Sequence, residues 1–270
     1  MKIKPKKSWG QNFLVDQQIA EDFAEAAQVN KADAVLEVGA GLGAVTAPLA
    51  RKAQKVIAVE LDRELIPTLK ENLQEFRNVE VVNDDILKID LAGLNLNNFK
   101  LVGAIPYQIT SPLIHKIMHS STRPQSITFI MQREVAEKIV AQPPKATYLS
   151  NFVANFGEAK IKKIIKPGAF NPPPAVDSAI LHITLFKEPR IKDTYQLEKI
   201  LHRGFLQPRK MIHHRFPAED LQQTQISPTL RPANLGKEDW QKLYEKFGKR
   251  SDRKRKKSRR GGGVWIKGGA

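Results

Sequence analysis

The chain has 270 residues, 41% hydrophobic and 27% charged, the make-up of a soluble globular protein with room for one sizeable domain and a small second one. Its 44 Lys and Arg against 28 Asp and Glu give a formal net charge of +16, which predicts a polyanionic partner; no apolar run reaches membrane-spanning length, so nucleic acid is expected rather than a membrane. Cysteine is absent, excluding disulfides, thiolate metal sites and cysteine nucleophiles, including the one cytosine-C5 methylation requires.

Residues 1–15 read as a basic N-terminal arm in which Lys2, Lys4, Lys6 and Lys7 are followed by the aromatic and amide-rich run Trp9 to Asp16. With no apolar core behind its lysines this start is not a secretory signal, and a cytoplasmic protein is expected. Either it is a tail with a hydrophobic anchor, or Asn12 and Leu14 fold over a ligand while the lysines meet phosphates. Asp16 suits the N-cap of a helix from Gln17 to Gln28.

From Ala34 to Met131 strand-like and helix-like units alternate: strands at Val35–Val38, Val56–Glu60, Val79–Val82, Lys100–Gly103 and Ile127–Met131, helices at Val45–Ala53, Arg63–Phe76 and Pro112–His119. That alternation predicts an α/β domain with a doubly wound, mostly parallel sheet and ligands at the strand ends. The first strand runs into Gly39-Ala-Gly-Leu-Gly43, where glycine lets a ligand approach the backbone. Two cofactor patterns fit. Gly39, Gly41 and Ala44 thread the dinucleotide pattern, with Glu60 roughly 20 residues later to hold a ribose. Glu37, Gly39, Gly41 and Gly43 match instead the Glu-x-Gly-x-Gly-x-Gly loop of S-adenosylmethionine-dependent methyltransferases. Asp84 and Asp85 end the third strand, placing Asp85 to accept from an adenine amine; a solvated acidic loop is the plainer reading.

The fourth strand enters Gly103-Ala-Ile-Pro-Tyr-Gln-Ile-Thr110. A Pro-aromatic turn there can stack a flat base on Tyr107 beneath backbone carbonyls, or serve as a structural corner. His115 and His119 stand at i,i+4, but Lys116, Ile117 and Met118 between them include no Glu, so the pair reads as a helix face and no metal is expected. A helix from Gln132, a break at Pro143-Pro144, a basic-edged strand Ile161–Lys166, a Pro-rich loop Pro167–Pro174 holding Phe170 and Asn171, and a closing strand Ser178–Phe186 complete a domain spanning 16–188.

Residues 189–249 hold no strand-like run and read as a small helical RNA-binding domain. Phe205 to Arg215 is expected to start a basic helix whose Arg209, Lys210 and Arg215 contact phosphates. Lys249 to Arg260 carries nine Lys or Arg in twelve residues, so 250–270 is expected to be a disordered basic tail.

With these stretches assembled, the chain resembles the small-subunit (16S) ribosomal RNA adenine-N6,N6-dimethyltransferase family, the KsgA/RsmA type, over residues 7 to about 247. The resemblance rests on Lys7-Ser-Trp-Gly-Gln-Asn-Phe-Leu14, Val35 to Thr46, Val56-Ile-Ala-Val-Glu-Leu-Asp62, Gly103 to Pro112, Gln132-Arg-Glu-Val-Ala-Glu137, Pro167-Gly-Ala-Phe-Asn-Pro172, Val176-Asp-Ser-Ala179 and Gln207-Pro-Arg-Lys-Met211. It implies a Rossmann-like methyltransferase domain that uses S-adenosyl-L-methionine and dimethylates adjacent adenines in small-subunit rRNA during ribosome assembly; nothing in the sequence suggests more than a monomer. It also implies that Asn12, Leu14, Gly39, Gly41, Glu60, Asp85, Ile86 and position 104 line the cofactor site. Ala104, Ile105, Pro106, Tyr107 and Phe170 would then form the target-base site.

One position departs from the family pattern Asn-Leu/Ile-Pro-Tyr: its first residue here is Ala104. The missing Asn carbonyl would share the adenine amine's two N–H groups with the backbone carbonyl of Ile105, and losing one buried acceptor costs on the order of 1–3 kcal/mol, about 10- to 100-fold in rate. No other side chain in the stretch obviously replaces it, although Gln108 is near in sequence, and three accounts stand: an engineered Asn-to-Ala change, a natural member with reduced or lost activity acting as a non-catalytic rRNA-binding assembly factor, or compensation in the site that the sequence hides. A second enzyme class, the erythromycin-resistance type acting on large-subunit rRNA, shares the Asn-Ile-Pro-Tyr pattern. The segments Phe205 to Met211 and Arg231 to Trp240 resemble the small-subunit group more closely.

Overall fold

The computed structural model describes residues 5–6, 9–94, 96 and 98–260; of Tyr107 and residues 249–260 it describes the backbone alone. Two compact units result, one made of the chain up to Val140 together with Phe156–Glu188, the other of Ala141–Asn155 and the chain from Pro189 onward. The expected boundary at 188 is therefore crossed by an excursion at Ala141–Asn155. No helix among the described residues is long and apolar enough to cross a membrane.

In the first unit β1 (Phe13–Leu14) and α1 (Gln17–Ala26) precede β2 (Ala34–Val38), α2 (Thr46–Lys52), β3 (Lys55–Glu60), α3 (Ile66–Asn72) and β4 (Val79–Asn83). β5 (Phe99–Ala104), α4 (Thr110–His119), β6 (Ser126–Gln132) and α5 (Arg133–Val140) follow. After α6 (Tyr148–Ala154), which belongs to the other unit, the chain returns as β7 (Gly157–Ile165), β8 (Phe170–Asn171) and β9 (Ser178–Leu185). Seven strands form one sheet in the order β4-β3-β2-β5-β6-β9-β7; the first five are parallel, and β9 runs antiparallel to both β6 and β7.

This sheet follows from the sequence. Val35, Leu36 and Val38, then Val56 to Val59, then Leu101 and Val102 are all buried, as strands covered on both faces require. α1 packs Ile19, Ala20, Phe23 and Ala24 on one face against this core, and Asp16 caps it, its Oδ1 accepting from the Ile19 amide at 3.1 Å. The edge strand β7 exposes Lys160, Lys162 and Lys163, charges that keep an open edge from pairing with another chain. Strand order reverses between β2 and β5, so the carboxyl ends of these two strands flank a crevice.

Two small features reshape that crevice. β1 pairs antiparallel with β8, Leu14 opposite Phe170 and Phe13 opposite Asn171, joining the N-terminal segment to the Pro-rich loop. α2 begins at Thr46, later than the Val45 start expected, so the glycine turn is longer and the helix shorter.

In the second unit α6, α7 (Thr194–Phe205), α8 (Ala218–Gln223) and α9 (Lys237–Arg260) are joined by loops and single 3₁₀ turns, with no strand among its described residues. α6 belongs here because Tyr148 donates to Glu198 Oε1 at 3.0 Å, and the Asn155 side chain accepts from the Ile191 amide at 2.8 Å while donating to the Ile191 carbonyl at 3.2 Å. Trp240 is buried at the centre of this unit against Phe205 and Gly204. The basic helix expected from Phe205 does not form: α7 ends at Phe205 and Pro208 interrupts any continuation. Nor is the basic run after Lys249 irregular, since the α9 backbone continues to Arg260, Lys and Arg being good helix formers.

Candidate functional site

At the carboxyl ends of β2, β3, β4 and β5 lies a cavity of about 340 Å³, within the size range of small-molecule sites. Its floor is the turn after β2. Gly39 has φ +73° and Gly41 φ +58°, left-handed conformations natural to glycine, and a Cβ on Gly39 would come within 3.2 Å of the Ala104 carbonyl oxygen. The turn is fastened by Gly39 and Ala40 amides donating to the Val59 carbonyl at 2.9 and 3.2 Å.

Glu60, at the end of β3, faces this turn. Its Oε2 accepts from the Gly41 amide and its Oε1 from the Asp62 amide, each at 2.8 Å. Burial raises its carboxyl above the ordinary value while these backbone amides oppose the rise. Each oxygen keeps lone-pair capacity for a further donor, so a carboxylate fixed in this way can still receive ligand hydroxyls.

Glu37, beside Gly39, is almost wholly buried, and its Oε2 has no hydrogen-bond partner among the described residues. Burial drives its carboxyl up to about 7, with the Glu60 charge adding to the effect and the Thr46 hydroxyl opposing it. An orphaned acid at the floor of a cavity invites a cationic or donor-rich ligand. The sequence marked Glu37 as part of the glycine loop but gave it no role, because burial without a partner is a property of the fold.

The N-terminal segment forms one wall. Trp9 to Leu14 all line the cavity, and Gln11 and Lys6 tie them down. Lys6 Nζ meets Asp62 Oδ1 at 2.8 Å and Glu64 Oε2 at 3.1 Å, while Gln11 donates through Nε2 to Asp62 Oδ2 at 2.8 Å and accepts the Lys6 amide at 2.8 Å. Burial acts to raise the Asp62 carboxyl, but the bonds from Lys6 and Gln11 outweigh it and hold it below the usual range. Lys6, expected to meet RNA phosphates, is thus committed to an internal clamp with its ammonium also over the Trp9 ring at 5.0 Å. Its companions Lys4 and Lys7 lie outside the described residues.

Asp84, Asp85 and the buried Ile86 close the side beyond β4. Asp85 Oδ1 accepts from the Leu87 amide at 3.0 Å, which orients the carboxylate. Opposite them stand Ala104, Ile105 and Pro106 from the end of β5, Gln108 and Ile109 from the following 3₁₀ turn, and Phe170 and Pro174 from the Pro-rich loop. The Ile105 amide donates to the Ile130 carbonyl at 3.2 Å, holding this turn against β6. Tyr107 opens the 3₁₀ turn; its side chain, the expected stacking surface, lies outside what is described.

The cavity therefore brings together Asn12, Leu14, Gly39, Gly41, Glu60, Asp85, Ile86, Ala104, Ile105, Pro106 and Phe170. Asn12 donates to the Gly10 carbonyl at 3.0 Å, shaping the wall. Arg209 and Lys210 lie in an exposed turn of the other unit, and Arg215 is half-buried there with Nε unpartnered among the described residues. A carboxylate at the second strand end, an acid at the third and a glycine-walled floor suit a nucleoside with a charged amino-acid-like extension, and Pro106 and Phe170 line the same cavity.

The family model described as ribosomal RNA adenine dimethylase matches residues 2–249. The chain is similar to ribosomal RNA small subunit methyltransferase A of Clostridium botulinum (strain Kyoto / Type A2), 34% identical over 258 residues covering 93% of this chain and 89% of the relative. Among solved structures it is similar to a dimethyladenosine transferase from Plasmodium falciparum, with a TM-score of 0.78 at 25% identity, covering 88% of this chain and 98% of that one. It is also similar to the 23S rRNA methyltransferase ErmE, with a TM-score of 0.73 at 28% identity, covering 88% of this chain and all of the other.

Proposed function

The chain belongs to the ribosomal RNA adenine dimethylase family, and from that membership we propose that it uses S-adenosyl-L-methionine to dimethylate N6 of adjacent adenines in the rRNA of the small ribosomal subunit. The observation that carries this reading is the arrangement of Glu60, Glu37 and the Gly39–Gly41 turn around one cavity whose far wall is the Ala104-Ile105-Pro106 strand end.

The residues present fit the cofactor. Glu60, its carboxylate aimed by the Gly41 and Asp62 amides, would take the ribose hydroxyls. Asp85 would accept the adenine amine and Ile86 would lie against that ring. The orphaned Glu37, on ionising beside a cationic methionine portion, would supply its counter-charge, and the absence of a Cβ at Gly39 leaves the backbone approachable. When bound, the cofactor supplies an electrophilic methyl group carried on a sulfonium.

The chain's part is orientation and exclusion of water. An adenine amine is a weak nucleophile because its lone pair is delocalised into the ring. The Ile105 backbone carbonyl at the β5 end would accept one of its N–H groups and help point the lone pair along one line, the kind of positioning that turns a slow encounter into an effectively unimolecular step. Phe170, buried beside Leu14 through the β1–β8 pairing, supplies an apolar face for the base and keeps solvent from the reacting atoms. The nitrogen's surplus proton then passes to solvent.

Incubating the chain and labelled cofactor with isolated under-methylated small and large subunits tests this. Label in small-subunit rRNA alone supports the proposal; label in large-subunit rRNA alone assigns the chain to the other enzyme class.

A further inference from the structure

The target base needs two acceptors for its amine, and the β5 end provides one backbone carbonyl at Ile105 beside a methyl side chain at Ala104. We propose that Gln108 supplies the second acceptor, its Oε1 receiving one N–H of the target adenine. The inference rests on the methyl-transfer reading above.

Four observations support it. Gln108 follows Pro106 in the single 3₁₀ turn Tyr107–Ile109, closed by the Ile109 amide donating to the Pro106 carbonyl at 3.2 Å, so its position relative to the β5 end is fixed by one tight turn. Gln108 lines the same cavity as Ala104, Ile105 and Phe170. Three side-chain amides line that cavity, those of Gln11, Asn12 and Gln108. Gln11 is bound at both ends by the Lys6 amide and Asp62, and Asn12 donates to Gly10. Gln108 is exposed and its side chain has no hydrogen bond shown among the described residues, so the fold gives its amide no structural task.

Chemistry completes the case. A carboxamide oxygen is a neutral acceptor that matches an amine N–H without taking its proton, whereas Glu37, Glu60 and Asp85 stand on the cofactor side. Glutamine reaches one methylene further than asparagine, and alanine at 104 leaves room that an asparagine there would fill. The pairing of a short residue at 104 with a longer amide at 108 is thus a relocated acceptor rather than a lost one.

A double-mutant cycle on under-methylated small subunits reads this directly. Gln108→Ala in the parent chain is expected to slow single-turnover methyl transfer about 10- to 100-fold, with subunit and cofactor affinity retained. Made together with Ala104→Asn, which restores an acceptor at the strand end, the same change is expected to cost under about threefold, an interaction that a merely structural role would not produce. Equal losses in both backgrounds, or no loss in the parent, overturn the proposal. If the parent transfers no methyl at all, the underlying reading fails. The Gln108 side-chain amide resonance then decides separately: it should shift on titration with adenosine and stay put with purine riboside, which lacks the amine. The same response to both nucleosides, or to neither, overturns it.

Discussion

Replacing Glu37 with glutamine should stabilise the protein at neutral pH and leave it unchanged in acid. Glu37 has an ordinary value of 4.5 and is held at about 7 by burial. Below pH 4.5 it is protonated in both folded and unfolded chains and contributes no pH dependence. Between 4.5 and 7 the unfolded chain releases the proton while the fold keeps it, so stability falls by about 1.4 kcal/mol per pH unit, to about 3 kcal/mol in all. His182 works in the opposite sense. It is buried with Nδ1 2.9 Å from Thr128 Oγ1, and burial, with the charges of Lys162 and Lys100, lowers it from 6.5 to about 4. As pH falls below 6.5 the unfolded chain takes up a proton that the fold refuses, so stability falls toward acid by about the same 3 kcal/mol. Over the shared interval the two slopes cancel. Urea unfolding followed by far-ultraviolet circular dichroism at half-unit steps from pH 4.5 to 7.5 measures this. The Glu37→Gln minus parent difference should climb from near zero to about 3 kcal/mol, and His182→Gln should show the mirror trend. A Glu37→Gln difference that stays flat within about 1 kcal/mol would mean that Glu37 titrates like a solvated acid, refuting the argument from burial.

Asp62→Ala removes the carboxylate that clamps Lys6 and Gln11, so the N-terminal wall loses its anchor. Calorimetry with S-adenosylhomocysteine should show affinity weakened about tenfold, and Glu64→Ala, which removes the outer partner of Lys6, should cost less. In the second unit a Cβ on Gly204 would sit 2.3 Å from the Trp240 ring, a rigid buried neighbour. Gly204→Ala should therefore destabilise by about 1–3 kcal/mol, visible as a lowered thermal midpoint; an unchanged midpoint would show that the indole moves freely.

The parts legible in the sequence are those with local causes. Buried strands announce themselves as β-branched runs, the glycine turn by its spacing, and the α1 start by Asp16, so the parallel sheet and the residues gathered around its switch point could be read in advance. What escaped depends on distant partners. β1 and β8 are two residues each, too short for any periodicity, and exist because Leu14 and Phe170 meet across 156 positions of chain. Lys6 looks like one more solvated lysine until Asp62 is brought beside it. α6 lay in a stretch bounded by Pro143-Pro144 and a basic strand; its signal was the Thr147 and Ser150 capping box, each residue's hydroxyl accepting the other's backbone amide, and its assignment to the second unit rests on Tyr148, which bonds Glu198 fifty residues away. The basic stretch after Phe205 failed as a helix for a local reason that was in view, Pro208.

The most direct test of the central claim is the nucleoside product. Small subunits lacking the modification would be incubated with the chain and S-adenosyl-L-methionine, and their rRNA digested and resolved by mass spectrometry. The account predicts N6,N6-dimethyladenosine, with the singly methylated nucleoside as a transient. Subunits that bind the chain yet yield neither nucleoside would contradict it and make the protein an RNA-binding assembly factor.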